Sequence, residues 1–274
     1  MSRSSTCDVL TFNINNPSRE RAERQLAYLA ARPEQVLVLT ETADSAGCAF
    51  LMERFTAAGY SVGFPRPPQG ERGVMIVSRL ATSRMSPLVD YLPHRAVEVT
   101  VATERGPLDI RGVYVPSRDA SPAKVERKRA FLEGLAVALS KGPVRDRLLI
   151  GDFNILEPDH VPQYRTFRTW EYDFYRGLGE IGYEDAFRAL HPHALEYSWV
   201  GKTGDGYRYD HAHASGPLGD TLRGCSYIHE PRTATGTDRL TDHSALSVQF
   251  TLAVVDPLPV TDPMRVEEPA PALF

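Results

Sequence analysis

The segment RLLIGDFNI, residues 147–155, carries the first reading of this chain. Leu148, Leu149 and Ile150 form a short unbroken apolar run, the pattern of a strand buried on both faces. Gly151 ends the run, and Asp152 and Asn154 follow at once. A buried strand thus delivers a carboxylate and an amide at its end. The arrangement recurs along the chain. Asn13 follows Leu10-Thr11-Phe12, and Glu41 follows Val36-Leu37-Val38-Leu39-Thr40. Tyr114 precedes Val115-Pro116-Ser117, Asp210 follows Tyr207-Arg208-Tyr209, and Asp242-His243-Ser244 precedes the last apolar run. A single carboxylate after a strand is usually a turn or cap residue. Six such places supplying Asp, Asn, Glu, Tyr and His, with no competing Ser or Cys nucleophile motif, form a set.

Working outward, apolar runs predict further strands over 8–15, 35–40, 73–78, 96–102, 108–115, 197–200, 208–214, 224–229 and 245–252. Helical spacing fills several gaps. Ser18 can cap a helix with Ala22, Leu26, Leu29 and Ala30 on one face. A second carries Cys48, Leu51, Met52, Phe55 and Ala58 and can end at Gly59. A third starts at Ser121-Pro122, places Val125, Leu132, Leu135, Ala136 and Leu139 on its apolar face, and stops at Gly142-Pro143. After an irregular stretch over 156–170, a fourth presents Trp170, Phe174, Leu178 and Ile181. The expected class is α/β (α+β), with two sheets and helices packed outside them rather than a regular βαβ array. One domain is expected over 1–254. The remaining 255–274 holds five prolines and no apolar period, the composition of a disordered tail.

The 274 residues are 42% apolar and 24% charged, which excludes wholesale disorder and fibrous classes. A formal charge of −4 and a pI near 6.1 exclude a chain that wraps polyanions by overall basicity. Any phosphate-bearing partner must be held by a local site. Cys7, Cys48 and Cys225 form no CxxC pair and read as small core residues, neither a zinc site nor a disulfide framework. The amino terminus lacks a signal-peptide h-region, and no run reaches membrane-spanning length. The expectation is a soluble cytoplasmic chain with no membrane span, taken as a monomer.

The residue set suits metal-assisted hydrolysis of a phosphate diester. Such an ester is anionic and repels an attacking hydroxide. A hard divalent cation relieves that repulsion, and Mg²⁺, with Mn²⁺ as a substitute, takes one or two carboxylates plus water. A base must accept the proton of the water, and donors must hold the phosphoryl oxygens as charge builds. Glu41 can serve as ligand, Asp152 as base, and Asn154, Tyr114 and His243 as donors.

The ordered motifs LTFNIN (10–15), VLTETAD (38–44), RGVMIVSR (72–79), GVYVPS (112–117), LIGDFNI (149–155), YSWV (197–200), YRYDHAHAS (207–215) and TDHSAL (241–246) resemble the endonuclease/exonuclease/phosphatase superfamily from about Val9 to Phe250. The stretch 171–200, with EYDFY, DAFR and YSWV, is most similar to the exonuclease III and apurinic endonuclease branch. The resemblance implies a four-layer α/β/β/α sandwich of two packed mixed sheets with the site at one end. It implies Glu41 as metal ligand, Asn13 supporting the metal site and Asp242 beside the metal. Tyr114 would contact the phosphate or leaving group, and Asp152 would orient and activate the water. Asn154 would hold phosphate and Asp152, and Asp210 would pair with His243 and favour its charged form. The partner it implies is DNA. Which of Asp152 and His243 is the base stays open. Two positions depart from the branch: Ala43 stands where a lysine usually follows the Glu-Thr pair, and His211 where Tyr or Leu often follows the Asp. These leave a phosphatase or phosphodiesterase acting on a small metabolite or lipid headgroup as an alternative, with a non-catalytic binding module behind it.

Other features carry two readings. Trp199 can stack on a base or sugar, or fill a strand end. Arg72 and Arg118 lie beside motif strands and could meet substrate phosphates. Lys124, Arg127, Lys128 and Arg129 read first as a solvated helix face and second as a phosphate track. His211 and His213, two residues apart on a strand, face one side; that spacing suits a transition-metal pair, and the family pattern suits packing.

Overall fold

The computed structural model describes residues 6–142 and 145–266. In the first half the elements are β1 (Cys7–Asn13), α1 (Arg19–Ala30), β2 (Val36–Thr42), α2 (Ala46–Ala57), β3 (Ser61–Gly63), β4 (Gly73–Ser78), β5 (Ser86–Pro87), β6 (Ala96–Thr103) and β7 (Gly106–Tyr114). Then come α3 (Pro122–Leu139), β8 (Asp146–Asp152), α4 (Thr169–Glu180), β9 (Tyr183–Asp185), α5 (Ala186–Leu190), β10 (Trp199–Val200), β11 (Gly206–Tyr207), β12 (Asp210–Ser215), α6 (Gly216–Gly219), β13 (Leu222–Ile228), α7 (Glu230–Thr233) and β14 (Ala245–Phe250).

Two mixed six-stranded sheets follow, in the orders β13-β14-β1-β2-β4-β3 and β5-β6-β7-β8-β12-β9. Alternation along the strands explains the layers. On β1, Val9 faces the other sheet while Leu10 and Phe12 face α1 and α2. On β8, Leu148 and Ile150 face inward while Leu149 faces α3 and α4. Three apolar layers result: one between the sheets, one under α1 and α2, one under α3 and α4. This is the expected α/β/β/α sandwich, and its strands bury both faces because each sheet has a neighbour on either side. Gly151 lets β8 run past β7. Its φ is +149°, and a Cβ there would fall 2.0 Å from the Val113 carbonyl oxygen.

Three local expectations change. The stretch 255–266 does not read as disordered here. Pro257 bridges Leu80, the Leu258 and Thr261 amides donate to the Arg79 and Ala58 carbonyls, and Arg54 donates to the Pro263 and Val266 carbonyls. Val260 and Val266 pack on the α1–α2 layer, so scattered apolar residues anchor a segment that composition reads as unstructured. Residues 267–274 lie outside the described residues. Lys128 is not on a solvated face; it sits on the α3 stripe with Phe131, Leu132, Leu135 and Leu139, buried against α4. On α4, Leu178 is buried as expected, but so is Glu171, and Ile181, just past the helix end, is exposed. Among the described residues, no helix is long and apolar enough to cross a membrane.

Candidate active site

β1, β2, β7 and β8 end, and β12 begins, at one edge of the sandwich, together with the turn before β14. Asp152 and Asp210 are direct partners in the antiparallel ladder of β8 and β12. His243 enters from the segment before β14, and its backbone bridges Trp199. Ligating atoms of Asp152, Asp210 and His243 lie within 4.8 Å of one another. The His243 Nδ1 donates to Asp210 Oδ2 at 2.8 Å, which leaves Nε2 for another partner. Asn13 reaches across the sheets and donates from Nδ2 to Asp152 Oδ2 at 2.9 Å. The other oxygen, Oδ1, accepts the Asn154 backbone N–H at 2.9 Å. Tyr114 Oη donates to Glu41 Oε1 at 2.8 Å, a second link between the sheets.

Two of these residues occupy strained backbone. Glu41 has φ +57° at a register shift between Thr40 and Thr42 on β2, and Asn154 has φ +48°. Left-handed, non-glycine positions cost about 1–3 kcal/mol and persist where their surroundings impose them. The bulge re-aims Glu41 towards Tyr114. Asn154 is held by its Nδ2 bond to the Val115 carbonyl and by the Lys128 Nζ, which donates to its carbonyl at 2.5 Å.

The electrostatics are polarised. Burial, then the charge of Asp210, push the Asp152 carboxyl up to about 8, with Glu41 adding to the effect and His243 opposing it. Burial works against a charged His243, but the Asp210 carboxylate outweighs it and lifts the imidazole to about 10. Burial likewise opposes the Asp242 charge, yet His243 and the Trp199 indole hold its carboxyl below the usual range. Asp242 also accepts from Asn15 Nδ2 at 2.9 Å and Trp199 Nε1 at 3.0 Å. Asp210 Oδ1 is buried and has no hydrogen-bond donor among the described residues. An orphaned carboxylate oxygen beside a second carboxylate, Asp152, is a donor set suited to a hard divalent cation.

The sequence-named residues therefore converge, with two exceptions. Arg72 donates to the Glu71 carbonyl at 3.2 Å, and no described hydrogen bond joins it to the carboxylates. Arg118 is committed to Glu171 and to the Thr166 carbonyl at 2.7 Å. It still lines a cavity of about 250 Å³ with Asn154, Phe167, Trp199, Tyr207 and Tyr209. Tyr207 stacks on Tyr209, ring centroids 5.2 Å apart, and Trp199 tilts against both.

Sequence reasoning passed over several supports. Ser198 Oγ accepts from the Tyr209 and Asp210 amides, and Arg95 lies 4.7 Å over the Tyr114 ring. Lys128 pairs with Glu171 at 2.6 Å and is drawn down to about 8 by burial. The signal for Ser198 is its place beside Trp199; Lys128 stands out only as one of four basic residues on α3, and Arg95 gives none.

The family model for the Endonuclease/Exonuclease/phosphatase family matches residues 10–262. The chain belongs to that family. Membership makes it a hydrolytic phosphoesterase of a metal-dependent family, as the sequence motifs imply. Among solved structures, an AP endonuclease from Archaeoglobus fulgidus is similar at 26% identity and TM-score 0.76, covering 89% of this chain and 99% of that one. The 3′-5′ exonuclease NExo from Neisseria meningitidis shares the fold at 24% identity and TM-score 0.75, covering 89% and 99%. The AP endonuclease LMAP from Leishmania major shares it at 17% identity and TM-score 0.71, covering 89% and 87%. No curated protein matches the chain in sequence. This phosphoesterase thus sits, by fold, among DNA-processing members of its family.

Proposed function

We propose that the chain hydrolyses phosphodiester bonds of DNA, acting as an exonuclease or endonuclease of the exonuclease III type. The observation that carries this reading is the aromatic cavity beside Asn154. Trp199, Tyr207, Tyr209 and Phe167 present flat apolar surface next to the carboxylate cluster. Aromatic faces suit a deoxynucleoside, whose base or sugar can lie against them; a small polar phosphomonoester would leave them unused.

Substrate phosphate would lie between Asn154 and His243. His243, cationic at neutral pH and with Nε2 free of Asp210, donates to a non-bridging oxygen. Asp152 accepts the proton of the attacking water as the new P–O bond forms and the P–O bond to the leaving oxygen breaks. Its raised proton affinity suits a base working near neutrality. We read Asp152 as the base and His243 as entering the reaction protonated, because the Asp210 carboxylate lifts its imidazole. Tyr114 keeps Glu41 oriented and Asn13 keeps Asp152 oriented. A Mg²⁺ ion, held by Glu41 with Asn13 and Asp242 beside it, would offset the negative charge of the cluster and polarise the phosphoryl oxygen.

The test uses labelled duplexes that are intact, nicked, 3′-recessed or abasic, in Mg²⁺ and in EDTA, beside a panel of small phosphate esters. Mg²⁺-dependent cleavage of DNA that disappears in Asp152→Asn is the expected result. Phosphate release from the small esters with every DNA intact would overturn the DNA assignment in favour of a metabolite phosphatase.

A further inference from the structure

The pleat of β12 puts Asp210, Ala212 and Ala214 on one face and His211 and His213 on the other. Asp210 belongs to the catalytic cluster; the two histidines point outward, under α4. Both are buried, and His213 lies opposite Asp185 in the β12–β9 ladder. Donor atoms of Asp185, His211 and His213 all fall within 4.8 Å of one another, close to the ~4.4 Å that opposite ligands of one ion reach with bonds of about 2.0–2.2 Å.

The hydrogen bonds of the three side chains are unbalanced. His211 Nε2 meets the Ile155 carbonyl at 3.2 Å, so this nitrogen carries a hydrogen. In the neutral ring Nδ1 then holds a lone pair, and it faces Asp185 Oδ2 at 3.5 Å with no hydrogen bond. Two electron-rich atoms facing each other in a buried site are reconciled by a positive charge between them, a proton on the imidazole or a metal ion. His213 has no hydrogen-bond partner at either nitrogen among the described residues. Burial keeps its ring neutral, pushed down to about 3, so its lone pair is available.

The surroundings resemble the outer shell of a metal site. Asp185 Oδ2 accepts from Tyr175 Oη at 2.5 Å and Arg208 Nη2 at 2.7 Å, while Oδ1 accepts the Phe187 and Arg188 amides. Such bonds fix a ligating carboxylate, as the Ile155 carbonyl fixes the His211 tautomer. Phe153 and Tyr175 close over both imidazoles at 5.1–5.5 Å between ring centroids. Arg208 and Arg188 already neutralise Asp185 and Glu157. What remains for a ligand is nitrogen lone pairs rather than surplus negative charge, which favours Zn²⁺ or Co²⁺ over Mg²⁺ or Ca²⁺. A cavity of about 590 Å³, bordered by Glu157, His160, Tyr175 and Arg188, reaches Asp185 and offers a way in.

We propose that Asp185, His211 and His213 bind one transition-metal ion, Zn²⁺ by ligand type, as a structural site separate from the catalytic cation. The ion ties β9 to β12 on the outer face of the second sheet.

The test is titration of the chelator-treated full-length protein with Co²⁺ in millimolar Mg²⁺, which occupies the catalytic carboxylates. One equivalent with the visible ligand-field bands of nitrogen coordination, displaced by Zn²⁺ and accompanied by a raised Tm, is expected. Glu41→Gln should retain this equivalent. His213→Leu should bind at least tenfold more weakly while keeping its Mg²⁺-dependent activity. Nitrogen NMR of the unaltered protein gives a reading that needs no variant: Zn²⁺ should shift two imidazole signals together. Absence of the bands at stoichiometric Co²⁺, equal retention by His213→Leu, or Zn²⁺ shifts confined to one imidazole would each overturn the site. An Asp185–imidazolium pair would then explain the short approach of His211.

Discussion

Asp152 is buried, faces Asp210 and Glu41, and is held by Asn13 and the Asn154 amide. Its carboxylate is therefore unfavourable in the metal-free fold and valuable to the reaction. Asp152→Asn should cut kcat by about 10³, within the span of a lost general base. The metal-free Tm should hold or rise. A carboxyl whose folded pKa is about 8 against 3.8 binds its proton more tightly when folded, so its stabilisation fades as pH rises through that window. A neutral amide removes that loss, and differential scanning fluorimetry at pH 5 and pH 8 would read it. Asp210→Asn should act through His243. Without its counter-charge the imidazole loses its proton at lower pH, so the alkaline limb of the kcat profile should move towards neutrality; an unmoved limb would break the assignment of that limb to His243. These residues are legible in the sequence because each adjoins a strand: Asp152 closes an apolar run, Asp210 opens β12, and His243 stands just before the last apolar run. Lys128 is not: its neighbours Arg127 and Arg129 make a charged surface pattern, and the partner that buries it, Glu171, lies 43 residues along the chain. No local spacing encodes such a pairing.

At the scale of elements, the site depends on how α3 and α4 brace the turn after β8. Lys128 on α3 donates both to Glu171 on α4 and to the Asn154 carbonyl. Arg118 joins the same Glu171 to the Thr166 carbonyl, beside the aromatic cavity. Lys128→Met keeps the stem and removes the donor. It should lower kcat and raise KM together, because Asn154 loses its support and the cavity that Lys128 helps to line, beside Phe167, changes its wall. Removing one partner of a buried pair also costs about 3–5 kcal/mol, readable by urea unfolding. Strand and helix positions were largely readable from periodicity, to within a few residues at their ends. The β2 bulge at Glu41 was not, because a register shift is a relation between strands and leaves no mark on one of them.

At the scale of the whole molecule, the buried carboxylates shape the acid limit of the fold. Burial alone would raise Glu157, but Arg188 and Arg208 hold its carboxyl down to about 2. A depressed carboxyl contributes stability that is complete above its unfolded value near 4.5 and fades as pH falls towards 2. Glu157→Gln should therefore destabilise the protein by about 3 kcal/mol at pH 7 and flatten the loss between pH 4.5 and 2, measured by urea unfolding across pH. The C-terminal stretch contributes from the other end of the sequence. Truncation after Val255 removes Val260 and Val266 from the α1–α2 layer and the acceptors of Arg54. The Tm should drop by about 5 °C, the change expected for roughly 2 kcal/mol in a chain of this size. Composition hid this because five prolines outweigh two valines in any average.

Three hydrogen bonds described above link the sheets at the catalytic edge: Asn13 to Asp152, Tyr114 to Glu41, and His243, on the segment leading into β14, to Asp210. Each crosses the sandwich, so the distances between reacting groups are set by the thickness of the apolar filling beneath them. The catalyst is in effect a gauge of sheet separation. A bulkier residue at Val38 or Val99, buried in that filling and carrying no chemistry, would pry these contacts apart together. Loss of turnover should then precede loss of fold, and the search for determinants of rate in this protein extends to the valines between its sheets.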